Sequence, residues 1–185
     1  YTNSFKEARF LRAYFYFNLV RAYGDVPYFT EMVTTDQVNS LTRTPAQEIF
    51  NAIIAECDKL STELPADYTK LGLDGIAPAE NGRVTCYAAL ALKARAALYA
   101  ASPLFNPENN KDLWRRAAEA NKEVIETCTA NGFKLSKYSE LWGPNNWSNN
   151  EMIFVRRYNG NISTLEEYNF PMGVPGGNSG NCPTQ

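Results

Sequence analysis

Two clusters of aromatic and asparagine side chains are the residues best suited to bind a ligand. Aromatic rings stack on the flat C–H faces of sugars, and asparagine amides both donate hydrogen bonds to hydroxyl groups and accept them. The first cluster, in residues 141–150, lies among turn-forming residues that predict a loop. In a competing interpretation, Trp142 fills the core beside a helix and the asparagines only cap turns. We expect ligand contacts from Trp142, Asn145, Asn146, Trp147, Tyr158, Asn159, Tyr168 and Asn169.

Catalytic side chains in a workable arrangement are missing from the sequence. It contains no histidine, the usual general base, triad member and metal ligand. Glu166 and Glu167 could form a glycosidase pair, but adjacent residues of an extended segment point to opposite faces. Glycosidase carboxyl groups must instead stand about 5 to 9.5 Å apart across a sugar. We therefore expect a protein that is not an enzyme and has no cofactor, with glycoside hydrolysis as a minor alternative.

A phosphate-binding loop is disfavoured too, because lysine and a following helix are missing from the glycine-rich tail that contains Gly173, Gly176, Gly177 and Gly180.

The composition predicts a folded chain, since 44% of its 185 residues are hydrophobic and 13% are aromatic. The 18 basic and 20 acidic residues nearly balance and form no run, which argues against a nucleic-acid partner. The longest apolar stretch, residues 86–102, contains Lys93 and Arg95 and is too short to span a bilayer.

The cysteines Cys57, Cys86, Cys128 and Cys182 are too far apart in sequence for a zinc knuckle or a CxxC redox motif. We expect them to be small buried hydrophobic residues. The sequence leaves open whether any of them form a disulfide.

The first predicted helix covers residues 1–23 and carries two apolar stripes. One stripe contains Phe5, Ala8, Phe15, Leu19 and Ala22. The other contains Phe10, Tyr14, Phe17 and Arg21. Because a helix that is apolar on two sides lies between neighbours, we expect both stripes to be covered. Gly24 and Pro27 end the helix.

The second predicted helix begins with a capping box, in which Thr44 is the N-cap, Pro45 is N1 and Gln47 is N3. Apolar residues at helical spacing continue to Pro65. The third and fourth helices are predicted at residues 84–101, which are rich in alanine, and at residues 111–130. The rest is predicted to be loop, apart from a short strand at residues 152–155.

These helices predict an all-α fold with long loops and little strand, in which tetratricopeptide-like helix pairs form an α–α superhelical scaffold. Such a pair cannot bury its apolar face alone, so at least about three are normally stacked. We therefore expect further helices outside this chain, and we expect the chain to be part of a longer one.

Seven short segments, taken in order, resemble the SusD/RagB family of outer-membrane nutrient-binding lipoproteins. Each segment is weakly specific alone, but their order along essentially the whole chain is specific. They are Glu7-Ala8-Arg9-Phe10-Leu11-Arg12-Ala13-Tyr14, Tyr23-Gly24-Asp25-Val26-Pro27, Arg43-Thr44-Pro45, Gly82-Arg83-Val84-Thr85, Ser102-Pro103-Leu104-Phe105, Asn150-Glu151-Met152-Ile153-Phe154 and Cys182-Pro183-Thr184-Gln185.

The resemblance implies a single SusD-like domain, of which residues 1–132 are helical scaffold and residues 133–185 border the ligand face. It implies an N-terminal lipid anchor outside this chain, a surface-exposed position at the outer membrane, and a SusC-like TonB-dependent transporter as partner. Sugar-binding residues in the family come from loops before the first helix and from a region that corresponds to residues 155–181. No family binding motif aligns, so no binding residue is carried over. Because Arg9 and Arg12 lie on a largely apolar helix, they are expected to form structural ion pairs, and Asp25 is expected to organise a turn.

Two functions follow as hypotheses. The first is capture of a glycan or oligosaccharide at the cell surface and its delivery to the transporter. The second is a tetratricopeptide-like scaffold that binds a protein or peptide segment on its helices. A sugar on an aromatic platform would favour the first, and an extended polypeptide on a helical surface would favour the second.

Overall fold

The computed structural model describes residues 2–68, 83–141, 149–155, 168–170, 173 and 175–177. The helices are α1 (Thr2–Tyr23), α2 (Thr35–Val38), α3 (Ala46–Glu63), α4 (Cys86–Ala101), α5 (Lys111–Ala130) and α6 (Tyr138–Leu141). The predicted all-α class is confirmed. The predicted strand at residues 152–155 is wrong, because this segment forms bends and its apolar side chains pack on the helices. The chain divides into two compact units, Tyr1–Phe154 and Val155–Gln185.

Successive long helices pack in antiparallel pairs. Along α3 and α4, Gln47 reaches the carbonyl oxygen of Ala100 at one end, and Cys86 donates its backbone N–H to Pro65 at the other. Along α4 and α5, the ring of Tyr87 contacts that of Phe133, and residues nearer the middle of both helices are also bonded. This order is the expected arrangement of tetratricopeptide-like helix pairs.

The alanines of α4 explain why this helix can lie between two others. Its buried residues include Ala88, Ala89, Ala94, Ala96, Ala97, Ala100 and Ala101. Side chains this small let the backbones of α3 and α5 approach α4 closely on both sides. Lys93 of α4 bridges the two neighbouring helices, with its ammonium 2.5 Å from Asp58 of α3 and 2.7 Å from Glu123 of α5.

Helix α1 packs on α3 with one of its two apolar stripes. Phe10, Phe17 and Val20 are buried in the common core. Phe5, Phe15 and Leu19, from the other stripe, are exposed. The prediction that both stripes are covered is therefore wrong for the described part of the chain, where the neighbours of α1 contact only one side.

The turn after α1 and the start of α3 differ from the predicted capping box. Helix α3 begins at Ala46, whose backbone N–H donates to the Asp25 carboxylate at 2.8 Å. Thr44 pairs instead through its backbone N–H with the carbonyl oxygen of Val26 at 3.0 Å. The Gln47 amide donates to the carbonyl oxygens of Ala100 and Phe105, both at 2.7 Å. The cap thus comes from a distant carboxylate, and the glutamine ties α3 to the end of α4.

Arginines on α1 form structural ion pairs, as the sequence predicted. Arg9 donates to Glu56 at 2.7 Å and to Glu63 at 2.6 Å. Arg12 lies 3.8 Å from Glu56 and donates to the carbonyl oxygen of Thr30 at 3.0 Å. These bonds link α1 to α3 and to the loop that follows α1.

A second polar link joins the start of α1 to the segment before α4. Arg83 donates two hydrogen bonds to the Glu7 carboxylate, at 2.8 and 2.7 Å, and its guanidinium lies 4.6 Å from the centre of the Tyr68 ring. The Tyr68 hydroxyl donates to the carbonyl oxygen of Val84 at 2.8 Å. Burial acts to raise the pKa of Glu7, but the hydrogen bonds and the charge of Arg83, together with the polar side chain of Tyr68, outweigh it and lower this pKa.

In the described part of the chain, the helices are too short or too polar to cross a membrane.

Candidate ligand-binding site

The first predicted ligand-binding cluster is bracketed by two hydrogen-bonded segments. The Ser136 backbone N–H donates to the Glu151 carboxylate at 2.8 Å, and the Ser136 hydroxyl donates to the side-chain oxygen of Asn149 at 2.8 Å. The Glu151 backbone N–H donates to the same asparagine oxygen at 2.8 Å. These bonds hold together the two ends of the segment 137–148. The predicted ligand residues Trp142, Asn145, Asn146 and Trp147 lie within it, outside the described residues.

Aromatic and aliphatic side chains pack the two hydrogen-bonded segments, around Ser136 and around residues 149–154, against the helices. Phe133, just after α5, packs edge-on against Tyr87 of α4, with ring centres 4.9 Å apart. Ile153 packs against the core, and Phe154 packs edge-on against Phe10 of α1 with ring centres 5.4 Å apart. The Asn-Glu-x-Ile-Phe segment therefore bonds to Ser136 through Glu151 and packs on α1 through Phe154. Sequence reasoning missed the role of Glu151, whose partner is distant in sequence.

The second predicted cluster is described only in part. Tyr168 and Asn169 are adjacent in a short helical stretch followed by Phe170. All three are exposed, with Tyr168 50% and Phe170 45% accessible, so both rings present surface on which a flat ligand can stack. The predicted residues Tyr158 and Asn159 lie outside the described residues, as do Glu166 and Glu167 of the hydrolase alternative.

One flank of α1 carries exposed aromatic and basic groups that the sequence analysis did not assign to a site. Tyr14 and Phe154 are 36% and 39% accessible, and their ring centres lie 6.3 Å apart. Further along the same flank, Arg21 of α1 and Arg95 of α4 lie against the ring of Phe17. The spacing of Tyr14, Phe17 and Arg21 shows from sequence that they share a flank, whereas the convergence of Arg95 requires the fold.

The cysteines of the described residues are unsuited to chemistry. Cys57, Cys86 and Cys128 are free thiols, and Cys57 and Cys128 are buried, as predicted. Burial raises the pKa of Cys57 to about 12, and it also raises the pKa of Cys86 and of Cys128. Such thiols stay protonated at neutral pH, so they are weak nucleophiles. Within the same described part, side chains that could ligate a metal do not gather in groups of three or more. Cys182 lies outside the described residues.

Known proteins of one family resemble both the sequence and the fold. A family model described as "Starch-binding associating with outer membrane" matches residues 3–98. A SusD-like protein of Formosa agariphila is 25% identical over 149 residues, which are 80% of this chain and 24% of that relative. The chain therefore spans about a quarter of the length of that relative.

Solved structures agree. A SusD-like protein of Bacteroides fragilis matches with a TM-score of 0.66 and 28% identity, over 87% of this chain and 28% of the other. A SusD-like carbohydrate binding protein of the same species matches with a TM-score of 0.62 and 29% identity, over 83% of this chain and 26% of the other. With helix pairs of the expected kind, a family match over residues 3–98 and these structural likenesses, the chain belongs to the SusD-like family.

Proposed function

We propose that this protein binds an extracellular glycan or oligosaccharide at the bacterial surface and delivers it to a SusC-like TonB-dependent transporter. The observation that carries the proposal is the family match over residues 3–98, since that family is described as starch-binding and associated with the outer membrane. The structural likeness to a carbohydrate binding protein supports the same ligand class. An N-terminal lipid outside this chain would hold the protein at the membrane surface.

The geometry supports binding rather than catalysis. A ligand-binding loop gains affinity when its ends are fixed before the ligand arrives, because less conformational freedom is lost on binding. The hydrogen bond between Ser136 and Asn149 would fix the two described ends of the segment to which we assign Trp142, Asn145, Asn146 and Trp147 as ligand contacts. In the second unit, Tyr168 and Asn169 offer a ring and an amide, and Tyr158 and Asn159 complete the proposed contacts. We propose no catalytic residue and no cofactor.

Binding of the full-length protein to a glycan array, followed by calorimetry on the best glycan, tests the proposal. Trp147→Ala and Tyr168→Ala are expected to weaken binding about tenfold each, because each removes a stacking ring. Trp114→Ala and Tyr23→Ala are matched controls on exposed aromatic residues of α5 and α1, and they are expected to leave affinity unchanged. Affinity for a peptide or metabolite and for no glycan would show the proposal to be wrong.

A second candidate function, a scaffold that binds a protein or peptide segment, is favoured by one observation. Phe5, Phe15 and Leu19 form an exposed apolar stripe on α1, and helical surfaces of tetratricopeptide-like proteins commonly bind protein segments. Phe15→Glu would abolish peptide capture if this function holds, and it would leave glycan binding intact if the first function holds.

A further inference from the structure

Two arginines from different helices converge on one aromatic ring. The guanidinium carbon of Arg21 lies 5.8 Å from the centre of the Phe17 ring, and that of Arg95 lies 5.9 Å from the same centre. Phe17 is only 2% accessible, whereas both arginines are exposed. The buried ring therefore fixes the positions of two positive charges at the surface, one from α1 and one from α4.

Neither arginine has an acceptor for its N–H groups among the described residues. In contrast, Arg9, Arg83 and Arg115 each pair with a carboxylate. Each guanidinium has five N–H donors in a planar fork, which matches an oxyanion. Both guanidinium groups lie against the same ring, so an anionic group that reaches both would be stabilised by two positive charges.

The dipole at the C-terminal end of α1 explains the position of Arg21 but not that of Arg95. Arg21 lies in the last turn of α1, where the helix dipole favours a cation. Arg95 lies well inside α4, so the dipole at the end of its helix does not account for its position. The contact with the Phe17 ring is what the two arginines share.

The aromatic pair on the same flank extends this surface. Tyr14 precedes Arg21 by seven residues, so it lies on the same side of α1 about 10 Å away along the helix axis. The rings of Tyr14 and Phe154 are both partly accessible, which gives a stacking surface next to the positive charges.

We propose that Arg21 and Arg95 bind the carboxylate or sulfate group of an acidic oligosaccharide whose sugar ring stacks on Tyr14 and Phe154. This inference rests on the proposed glycan capture and specifies its ligand class as negatively charged. The arginines set the preference for charge, and the rings contribute affinity that any sugar could use.

Calorimetry on the full-length protein with two matched pairs of probes tests the inference. One pair is tetragalacturonate and its full methyl ester, and the other is sulfated cellotetraose and cellotetraose. We expect the wild type to prefer at least one charged probe over its neutral partner by about tenfold or more. Arg21→Gln and Arg95→Gln are each expected to lose about tenfold of that affinity, as a charge-assisted hydrogen bond is removed. Arg115→Gln, an exposed arginine paired with Asp112, is the control and is expected to lose none.

The NMR signals of the arginine side chains keep the test independent of stability. Those of Arg21 and Arg95 are expected to shift with the charged probe and not with its neutral partner. Three results would overturn the inference: no preference for charge in either pair, full retention of charged-probe affinity in the folded double variant, or equally tight binding of a tetraglutamate peptide. If a neutral glycan from the array still binds, only the inference fails. If no glycan of either kind binds, the proposed function fails too.

Discussion

Asp25 lies in the turn after α1, yet it caps a different helix. Its carboxylate accepts a hydrogen bond from the backbone N–H of Ala46, at the first residue of α3. A backbone N–H in the first turn of a helix has no partner within the helix, so this bond satisfies a group that is otherwise left to water. Asp25 therefore fixes the direction in which the chain enters α3.

Replacing Asp25 by alanine is expected to lower the free energy of unfolding by about 1 kcal/mol, the usual effect of losing a cap. Asp25→Asn keeps an acceptor oxygen and is expected to recover most of this loss. The matched control is Thr44→Val, at the residue that the sequence suggests as the cap. Urea unfolding of the three variants measures the effect, and a larger loss from Thr44→Val than from Asp25→Ala would contradict this assignment.

The capping example shows which residue-level features a sequence conceals. Thr44, Pro45 and Gln47 match a local capping pattern, because the pattern depends only on residues three positions apart. The observed cap is 21 residues away from Ala46, and the amide of Gln47 is used 53 residues away. The residues near the start of α3 do not show whether Thr44 or the distant Asp25 caps the helix. The same holds for Arg95, which reaches the ring of Phe17 only after α1 and α4 have packed.

Helix α1 is joined to the start of α4 through Glu7 and Arg83. The Glu7 side chain is 16% accessible and that of Arg83 is 29% accessible, so the pair is partly screened from solvent. Its bonds cross from the first turns of one helix to the segment that precedes another. This pair therefore links α1 to the segment that precedes α4.

The acid sensitivity of this connection follows from the pKa of Glu7. The ordinary value of this carboxyl group is 4.5, and the pKa is lower in the folded protein. The folded state thus binds fewer protons than the unfolded state, and the stabilisation is fully present above about pH 4.5. It is lost as the pH falls through the lower, folded-state pKa. Glu7→Gln is expected to lower the free energy of unfolding by about 1 to 2 kcal/mol at neutral pH, and this loss is expected to shrink as the pH falls below 4.5.

Urea unfolding at neutral pH and in steps below about pH 4.5 measures this difference between wild type and Glu7→Gln. Glu119→Gln is the matched control, because Glu119 is an exposed glutamate on α5. It is expected to change the free energy of unfolding at neutral pH much less than Glu7→Gln does, because an exposed side chain on a helix surface makes little contribution to stability. An equal loss of stability from Glu7→Gln at acid and neutral pH would show that the carboxylate charge is not what stabilises the link.

The sequence predicts elements better than it predicts their partners. The bounds of α5 and the end of α4 agree with the predicted bounds, because proline and glycine punctuate periodic apolar runs at these points. Residues 152–155 were predicted as a strand, since a short apolar run has the same local signature whether it pairs or packs. Here Ile153 and Phe154 pack on helices. The exposed stripe of α1 likewise carries the pattern of a covered face, and composition alone does not tell what covers it.

The core formed by the described residues lies within the first compact unit, Tyr1–Phe154. The buried cluster draws on α1, α3, α4 and α5, and Ile153 and Phe154 also pack against its described members. The candidate ligand residues are divided between the units, since Trp142 and Trp147 precede Phe154 in sequence and Tyr168 and Asn169 belong to the second unit. The described core therefore belongs to the first unit, whereas the candidate ligand residues occur in both units.

A pair of truncations tests this division. Removing residues 155–185 leaves every member of the buried cluster in place, so helical circular dichroism and cooperative unfolding are expected to persist. Removing residues 151–185 also deletes Glu151, Ile153 and Phe154, and with them the loop clamp and the apolar anchor on α1. The lost apolar burial is expected to cost about 2 to 3 kcal/mol and to lower the melting temperature of this second variant by about 5 to 10 °C relative to the first. Thermal unfolding of both variants measures the difference. Equal melting temperatures would mean that the contacts of Glu151, Ile153 and Phe154 with Ser136 and the helices do not stabilise the fold.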